Sequence, residues 1–146
     1  MWTGDGAHIA FSSSPDPEQR VRPRIKWKAA DGTGEIEALT EAGTTLQLPQ
    51  GLSPDGSQLV FTELAEDTGW DVWTLDLEGR EARPVLDTEY NEDSADLSPD
   101  GRWLAFQSDS TGTNEVYVRP FSDVEGGLWQ ISNGSGQEPN WSPDGR

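Results

Sequence analysis

From Ala7 to Ser13 apolar and polar residues alternate, with Ile9 and Phe11 on one side, which predicts a β-strand. The same rhythm returns in Gln58–Glu63, where Leu59 and Phe61 share a face, and in Trp103–Ser108. A second strand follows each of these after a polar loop: Ile25–Ala29 around Trp27, Asp71–Leu77 around Trp73, and Glu115–Phe121 around Tyr117. Shorter strands are predicted at Ile36–Thr40, Arg83–Leu86 and Trp129–Ser132, and approach strands at Thr44–Leu52, Ser94–Ser98 and Pro139–Ser142. The loops between first and second strands are Ser14–Arg24, Ala65–Gly69 and Asp109–Asn114; the first carries Pro15, Pro17 and Pro23. No segment has a helical period. The pattern predicts an all-β chain.

One short stretch punctuates this pattern. Ser53-Pro54-Asp55-Gly56, Ser98-Pro99-Asp100-Gly101 and Ser142-Pro143-Asp144-Gly145 are the same turn, and Trp2-Thr3-Gly4-Asp5-Gly6 is a degraded copy that opens the chain. The Asp residues lie 50, 45 and 44 positions apart. A fixed period near this length marks a repeat array of about one four-stranded propeller blade per unit. Phe11, Phe61 and Phe106 fall six residues after their Asp, and Trp2, Leu52, Leu97 and Trp141 three before. Pro presets φ in such a turn and Gly accepts positive φ, while the Ser hydroxyl and Asp carboxylate satisfy backbone N–H groups. Asp5, Asp55, Asp100 and Asp144, with Gly6 and the other turn residues, are therefore structural. Gly4 in place of Pro should loosen the first turn.

The formal net charge of −17 repels phosphate backbones and anionic membranes, so nucleic-acid binding is not expected. Apolar residues are 32% of 146, low for one core, but seven tryptophans enlarge the area each apolar residue can bury. Without cysteine there is neither disulfide framework nor thiol chemistry. No apolar run reaches the length of a membrane span, so membrane insertion is not expected, and the N-terminus lacks the regions of a signal peptide. The compartment stays open.

The order Trp or Leu, Ser-Pro-Asp-Gly, a strand with Val60-Phe61 or Ala105-Phe106, a polar loop and Asp71-Val72-Trp73 or Glu115-Val116-Tyr117 resembles the TolB-type, WD-like β-propeller repeat. The resemblance spans essentially the whole chain. It implies blades of four antiparallel strands, with the motif joining the innermost strand to the second, and a mostly extracytoplasmic setting. Related blades occur beside bacterial receptor kinases and as lids of prolyl-oligopeptidase-like peptidases. Such rings have six or more blades. This chain supplies three, approximately 1–43, 44–89 and 90–134, plus a spare innermost strand at about 135–146. Each blade needs a neighbour on both faces, so the expectation is a two-fold homodimer closing a six-bladed ring by strand exchange, or a part of a longer chain.

Candidate chemistry is thin. A serine hydrolase needs a base, but the lone His8 lies inside the first strand and no G-x-S-x-G elbow occurs, so no catalytic residue is assigned. Asp109, Asn114 and Glu115 offer oxygen ligands that could suit Ca²⁺, without the full spacing of a calcium loop; a structural role is preferred, and no metal or cofactor is expected. Glu66, Asp67 and Asp71 hold the matching place one unit earlier. At repeated offsets, Trp2, Trp27, Trp73 and Trp141 are assigned to the core between blades, whereas Trp70, Trp103 and Trp129 break the repeat. Trp2, Trp70, Trp103, Trp129 and Trp141 are the interface candidates. The function expected is a non-catalytic binding or scaffold module meeting itself and a protein or peptide, a basic one if the channel mouth is acidic. The alternatives are an accessory domain of an enzyme and a purely structural array.

Overall fold

The computed structural model describes residues 1–14, 22–41, 45–123 and 126–145. Pro15, Pro17, Thr44, Glu125 and Arg146 lie outside them. The described residues form eleven strands and no helix. The first sheet pairs β1 (His8–Ser13), β2 (Arg24–Ala29) and β3 (Glu37–Ala38) in that order. The second runs β4 (Leu46–Leu52), β5 (Gln58–Leu64), β6 (Trp70–Asp76) and β7 (Ala82–Leu86). The third runs β8 (Glu92–Leu97), β9 (Trp103–Ser108), β10 (Glu115–Pro120) and β11 (Trp129–Gln130). All pairings are antiparallel between consecutive strands, as hairpins dictate. Pro49 and Pro84 lie in edge strands beside register shifts, where a missing N–H is tolerated.

The sheets stack face to face. Ile25 and Leu39 of the first sheet meet Leu59, Phe61 and Leu75 of the second, with Trp27 and Trp73 against them. On its other side the second sheet sends Val60, Val72 and Leu86 into Leu97, Leu104, Phe106 and Tyr117 of the third. The middle sheet is thus covered twice. That is why Leu59, Val60 and Phe61 are buried in succession on β5, whereas β1 buries only Ala10.

The first sheet departs from the expected equivalence of its tryptophan. Phe61 pairs with Trp73 and Phe106 with Tyr117, but Phe11 pairs with Lys26. Trp27 opposes Ala10 and faces the second sheet, so it is not the counterpart of Trp73 and Tyr117. A shift of one residue turns every side chain to the opposite face.

The C-terminal correction is larger. The spare strand expected over 135–146 is not formed: 135–145 contain no strand. A strand needs an edge to pair with, and the edge that follows the third sheet in the repeat is absent from this chain. Trp141 is held instead by the third sheet, its backbone N–H donating to Asp96 Oδ2 (2.7 Å) and its indole N–H to Asp96 O (3.2 Å).

The Asp-Gly turns bind one sheet to the next. A Cβ built on Gly101 would stand 2.9 Å from Pro54 Cδ, and one on Gly145 would stand 3.9 Å from Pro99 Cδ. Each Pro therefore seats under the Gly of the following turn. Gly56 has nothing within 4 Å, since Gly4 stands where its Pro would be. Gly56 and Gly101 share φ near +70° (72° and 70°), so the backbone penalty of a side chain is common to both. Gly56→Ala is expected to cost about 1 kcal/mol, and Gly101→Ala about 2 kcal/mol because Pro54 must also move. Urea unfolding of the two variants checks the difference; equal losses would dismiss the Pro–Gly contact.

Candidate functional site

One oxygen of each turn carboxylate is engaged by the turn. Asp55 Oδ1 accepts from the Ser53 hydroxyl (2.6 Å), the Ser57 N–H (3.0 Å) and the Ser57 hydroxyl (2.8 Å). Ser53 Oγ in turn accepts the Gln58 N–H at 2.9 Å. Asp100 repeats the arrangement with Ser98 (2.6 Å) and the Arg102 N–H (3.1 Å), and Ser142 donates to Asp144 at 2.6 Å. Hydrogen bonds to the charged form, led by the serine hydroxyl, hold the Asp55 and Asp100 carboxyls at about 2. In the first copy Thr3 does the work of serine: its hydroxyl donates to Asp5 (2.6 Å) and accepts the His8 N–H (2.9 Å). Gly4 thus forfeits the Pro contact and none of these bonds. A hydroxyl two residues before Asp was the signal for this.

The remaining sequence candidates do not converge. Asp109 accepts from the Asn91 backbone N–H (3.0 Å) and side-chain amide (2.8 Å). Glu115 is buried and accepts from Gly134 N (2.8 Å), Ser135 N (2.9 Å) and the Ser132 hydroxyl. The Ser132 hydroxyl is the chief cause of the lowering of its carboxyl. Asn114 accepts the Gly136 N–H at 2.8 Å through its carbonyl. Among the described residues no three acidic or histidine side chains gather in a metal-holding group. His8 stacks on Trp27 with ring centroids 4.5 Å apart.

What the structure does bring together is apolar surface at both ends of the stack. Beyond the third sheet a cavity of about 560 Å³ is lined by Trp103, Val118, Trp129, Ile131, Trp141 and Pro143. Trp103 and Trp129 meet edge to face at 5.6 Å, and Trp129 remains 47% exposed. Asp93 and Asp96 oppose Gln107 and Ala105 on this same outer side, and Asp100 and Asp144 line the cavity. Beyond the first sheet, Trp2 bridges Ile9 and is 62% exposed, so it is not the core residue expected. Ile9 and Phe11 share that outer face, and Lys28 and Lys26 stand opposite them in the pairing. Trp70, the remaining interface candidate, is half-buried and donates its backbone N–H to Asn91 Oδ1 at 3.2 Å.

A family model described as TolB beta propeller domain matches residues 1–146. The chain belongs to the TolB β-propeller family. An uncharacterized protein of Agrobacterium fabrum is 31% identical over 101 residues, covering 64% of this chain and 34% of its own length. The solved structure of a provisional TolB from Agrobacterium tumefaciens superposes with a TM-score of 0.83 at 24% identity, over 99% of this chain and 50% of that one. TolB from Acinetobacter baumannii gives 0.78 at 25% identity, over 99% and 34%. A prolyl endopeptidase structure gives 0.68 at 16% identity, over 90% of this chain and 21% of that one, which shows the fold alone. The chain thus spans about half the length of its A. tumefaciens relative and about a third of the A. baumannii and A. fabrum proteins. In this TolB-like chain the three sheets are propeller blades.

Proposed function

We propose that this TolB-like chain is a non-catalytic propeller scaffold that closes a six-bladed ring with a second copy of itself and presents the ring's loops to a protein or peptide partner. One observation carries this reading: the two uncovered blade faces are apolar and opposite in charge. The outer face of the first blade sets Trp2, Ile9 and Phe11 among Lys26 and Lys28. The outer face of the third sets Trp103, Trp129 and Trp141 among Asp93, Asp96 and Asp144, with Asp100 paired to Arg102 at its rim. Two-fold symmetry brings each basic face against the other copy's acidic one, twice, so the assembly closes. The A. tumefaciens chain, twice this length at TM-score 0.83, supports a ring of twice this many blades.

Strand exchange fits the same geometry. Among the described residues, Met1 and Trp2 pair with Ala10 and Ile9, and no strand pairs with the edge of β1 at Phe11–Ser13. The irregular 136–139 of a second copy matches that stretch in the repeat. Trp141 and Trp2 hold the same place in the motif, so the entering strand displaces the short N-terminal one. Size-exclusion chromatography with light scattering is expected to give twice the chain mass; a folded single chain would overturn the proposal. Lys26→Glu combined with Lys28→Glu is expected to return the protein to one chain per particle, since like charges would then face each other across the seam.

The peptidase neighbours favour a second reading, the accessory propeller of an enzyme. In that case the charge-reversed variant and the unaltered chain would have the same mass.

A further inference from the structure

Two of the turn prolines seat under the Gly of the next turn: Pro54 under Gly101, and Pro99 under Gly145. That series leaves one Gly and one Pro without a mate. Gly56 has open space where a Cβ would stand, because Gly4 holds the place of Pro in the turn before it. Gly4 and Gly56 line one cavity of about 280 Å³, with Leu52, Pro54 and Leu77 in its walls. Pro143 is in the converse position. It lines the open cavity beyond the third blade, and no further turn follows its own among the described residues. Its turn is nonetheless already built: the Gly145 N–H donates to Ser142 O (2.9 Å) and the Ser142 hydroxyl to Asp144 (2.6 Å). The hydrogen bonds of Trp141 to Asp96 hold that turn against the third blade.

We propose that Pro143 of a second copy takes the place of Gly4 and seats under Gly56. The proposal rests on ring closure by two copies, and it names the residue that each copy lends to the other's first blade. Register dictates the exchange: Trp141-Ser142-Pro143-Asp144-Gly145 matches Trp2-Thr3-Gly4-Asp5-Gly6 one for one. Thr3 already makes the hydrogen bonds of its turn, so what the entering turn adds there is the pyrrolidine ring. The difference expected between Gly56→Ala and Gly101→Ala accordingly belongs to single chains; within the ring both glycines lie over a Pro.

The first test is Gly4→Pro in the full chain, read by light scattering over a dilution series. Gly4 lies outside the positive-φ region that Gly6 occupies (φ 69°), so Pro can stand there. With its own Pro under Gly56 the N-terminal turn resists displacement, and association is expected to weaken several-fold. Cysteine pairs read the same seat without any change at Gly4, since the chain has no cysteine of its own. A disulfide needs Cβ atoms about 3.5–4.5 Å apart, so oxidising a mixture of Pro143→Cys and Gly56→Cys chains is expected to trap the mixed pair. Pro54→Cys with Gly101→Cys in one chain is the positive control. An unaltered chain that stays single overturns the ring and the seat together. A doubled mass that Gly4→Pro leaves unchanged, or trapping of Pro99→Cys with Gly6→Cys instead, overturns the seat alone.

Discussion

Phe61→Ala is expected to lower the unfolding free energy by about 3–5 kcal/mol, the usual range for emptying an aromatic site in a packed core. Phe61 is 1% exposed and lies in the cluster that joins the first two blades, stacked on Trp73 at a centroid distance of 6.3 Å. Both neighbours of that cluster are β-sheets fixed by their own ladders, so the walls cannot collapse into the space. Phe11, its counterpart in the first blade, lies on the face no other blade covers and is only half-buried. Phe11→Ala should therefore cost about 1 kcal/mol in an isolated chain, and more if a second copy covers that face. Urea unfolding of the two variants at two protein concentrations measures both. A Phe11 penalty that stays small at every concentration would argue against coverage of the first blade.

Much of the fold was legible because its signals are local. The Ser-Pro-Asp-Gly turns satisfy their own hydrogen bonds within six residues, and β1, β5 and β9 were readable from alternation after each turn. The exposure of Trp129 follows from its place outside the repeat. Register across a long loop is not local. Phe11 and Trp27 are separated by more residues than Phe61 and Trp73, and the pairing that results turns Trp27 to the other side of its sheet. The C-terminal segment failed for a related reason. Its sequence matches a strand, but a strand exists only where a partner edge does, and the described residues offer it none.

The site was harder to read than the fold. Trp73 and Arg24 are ordinary strand residues in sequence, and nothing local marks them as bearing buried N–H groups that have no hydrogen-bond partner among the described residues. Asp109 and Glu115 offer oxygen ligands in the sequence, with a structural role preferred, and in the structure each fastens a loop. Acids that fasten a neighbouring loop and acids that face a ligand have the same sequence signature.

Replacing two buried acids is expected to stabilise the protein. Asp71 and Glu92 are each 3% exposed, and each leaves one carboxylate oxygen without a partner. The Thr68 hydroxyl serves Asp71 at 2.6 Å, and the Thr88 hydroxyl serves Glu92. Burial, reinforced by neighbouring acids that include Asp71 beside Glu92, pushes both carboxyls above their ordinary values of 3.8 and 4.5. A carboxyl raised in the folded state binds its proton more tightly there than in the unfolded chain. Folding is therefore favoured as pH falls from neutrality through the raised values, and the gain is complete below the unfolded ones. The turn carboxyls act with the opposite sign. Asp55 and Asp100 are lowered to about 2, so their contribution is present above 3.8 and is lost as pH falls through about 2. Stability should thus peak on the acid side of neutrality and drop steeply below about pH 3. Asp71→Asn with Glu92→Gln removes the buried charge while keeping an oxygen for each threonine, and should raise stability at pH 7 by up to about 1 kcal/mol, the gain being offset by the amide N–H groups it buries. In that variant the rise between pH 7 and the ordinary carboxylate range should flatten, while the acid limb set by the turns stays in place. Urea midpoints measured across pH 2–8 separate the two limbs, and an unchanged rise in the double variant would mean that other acids carry it.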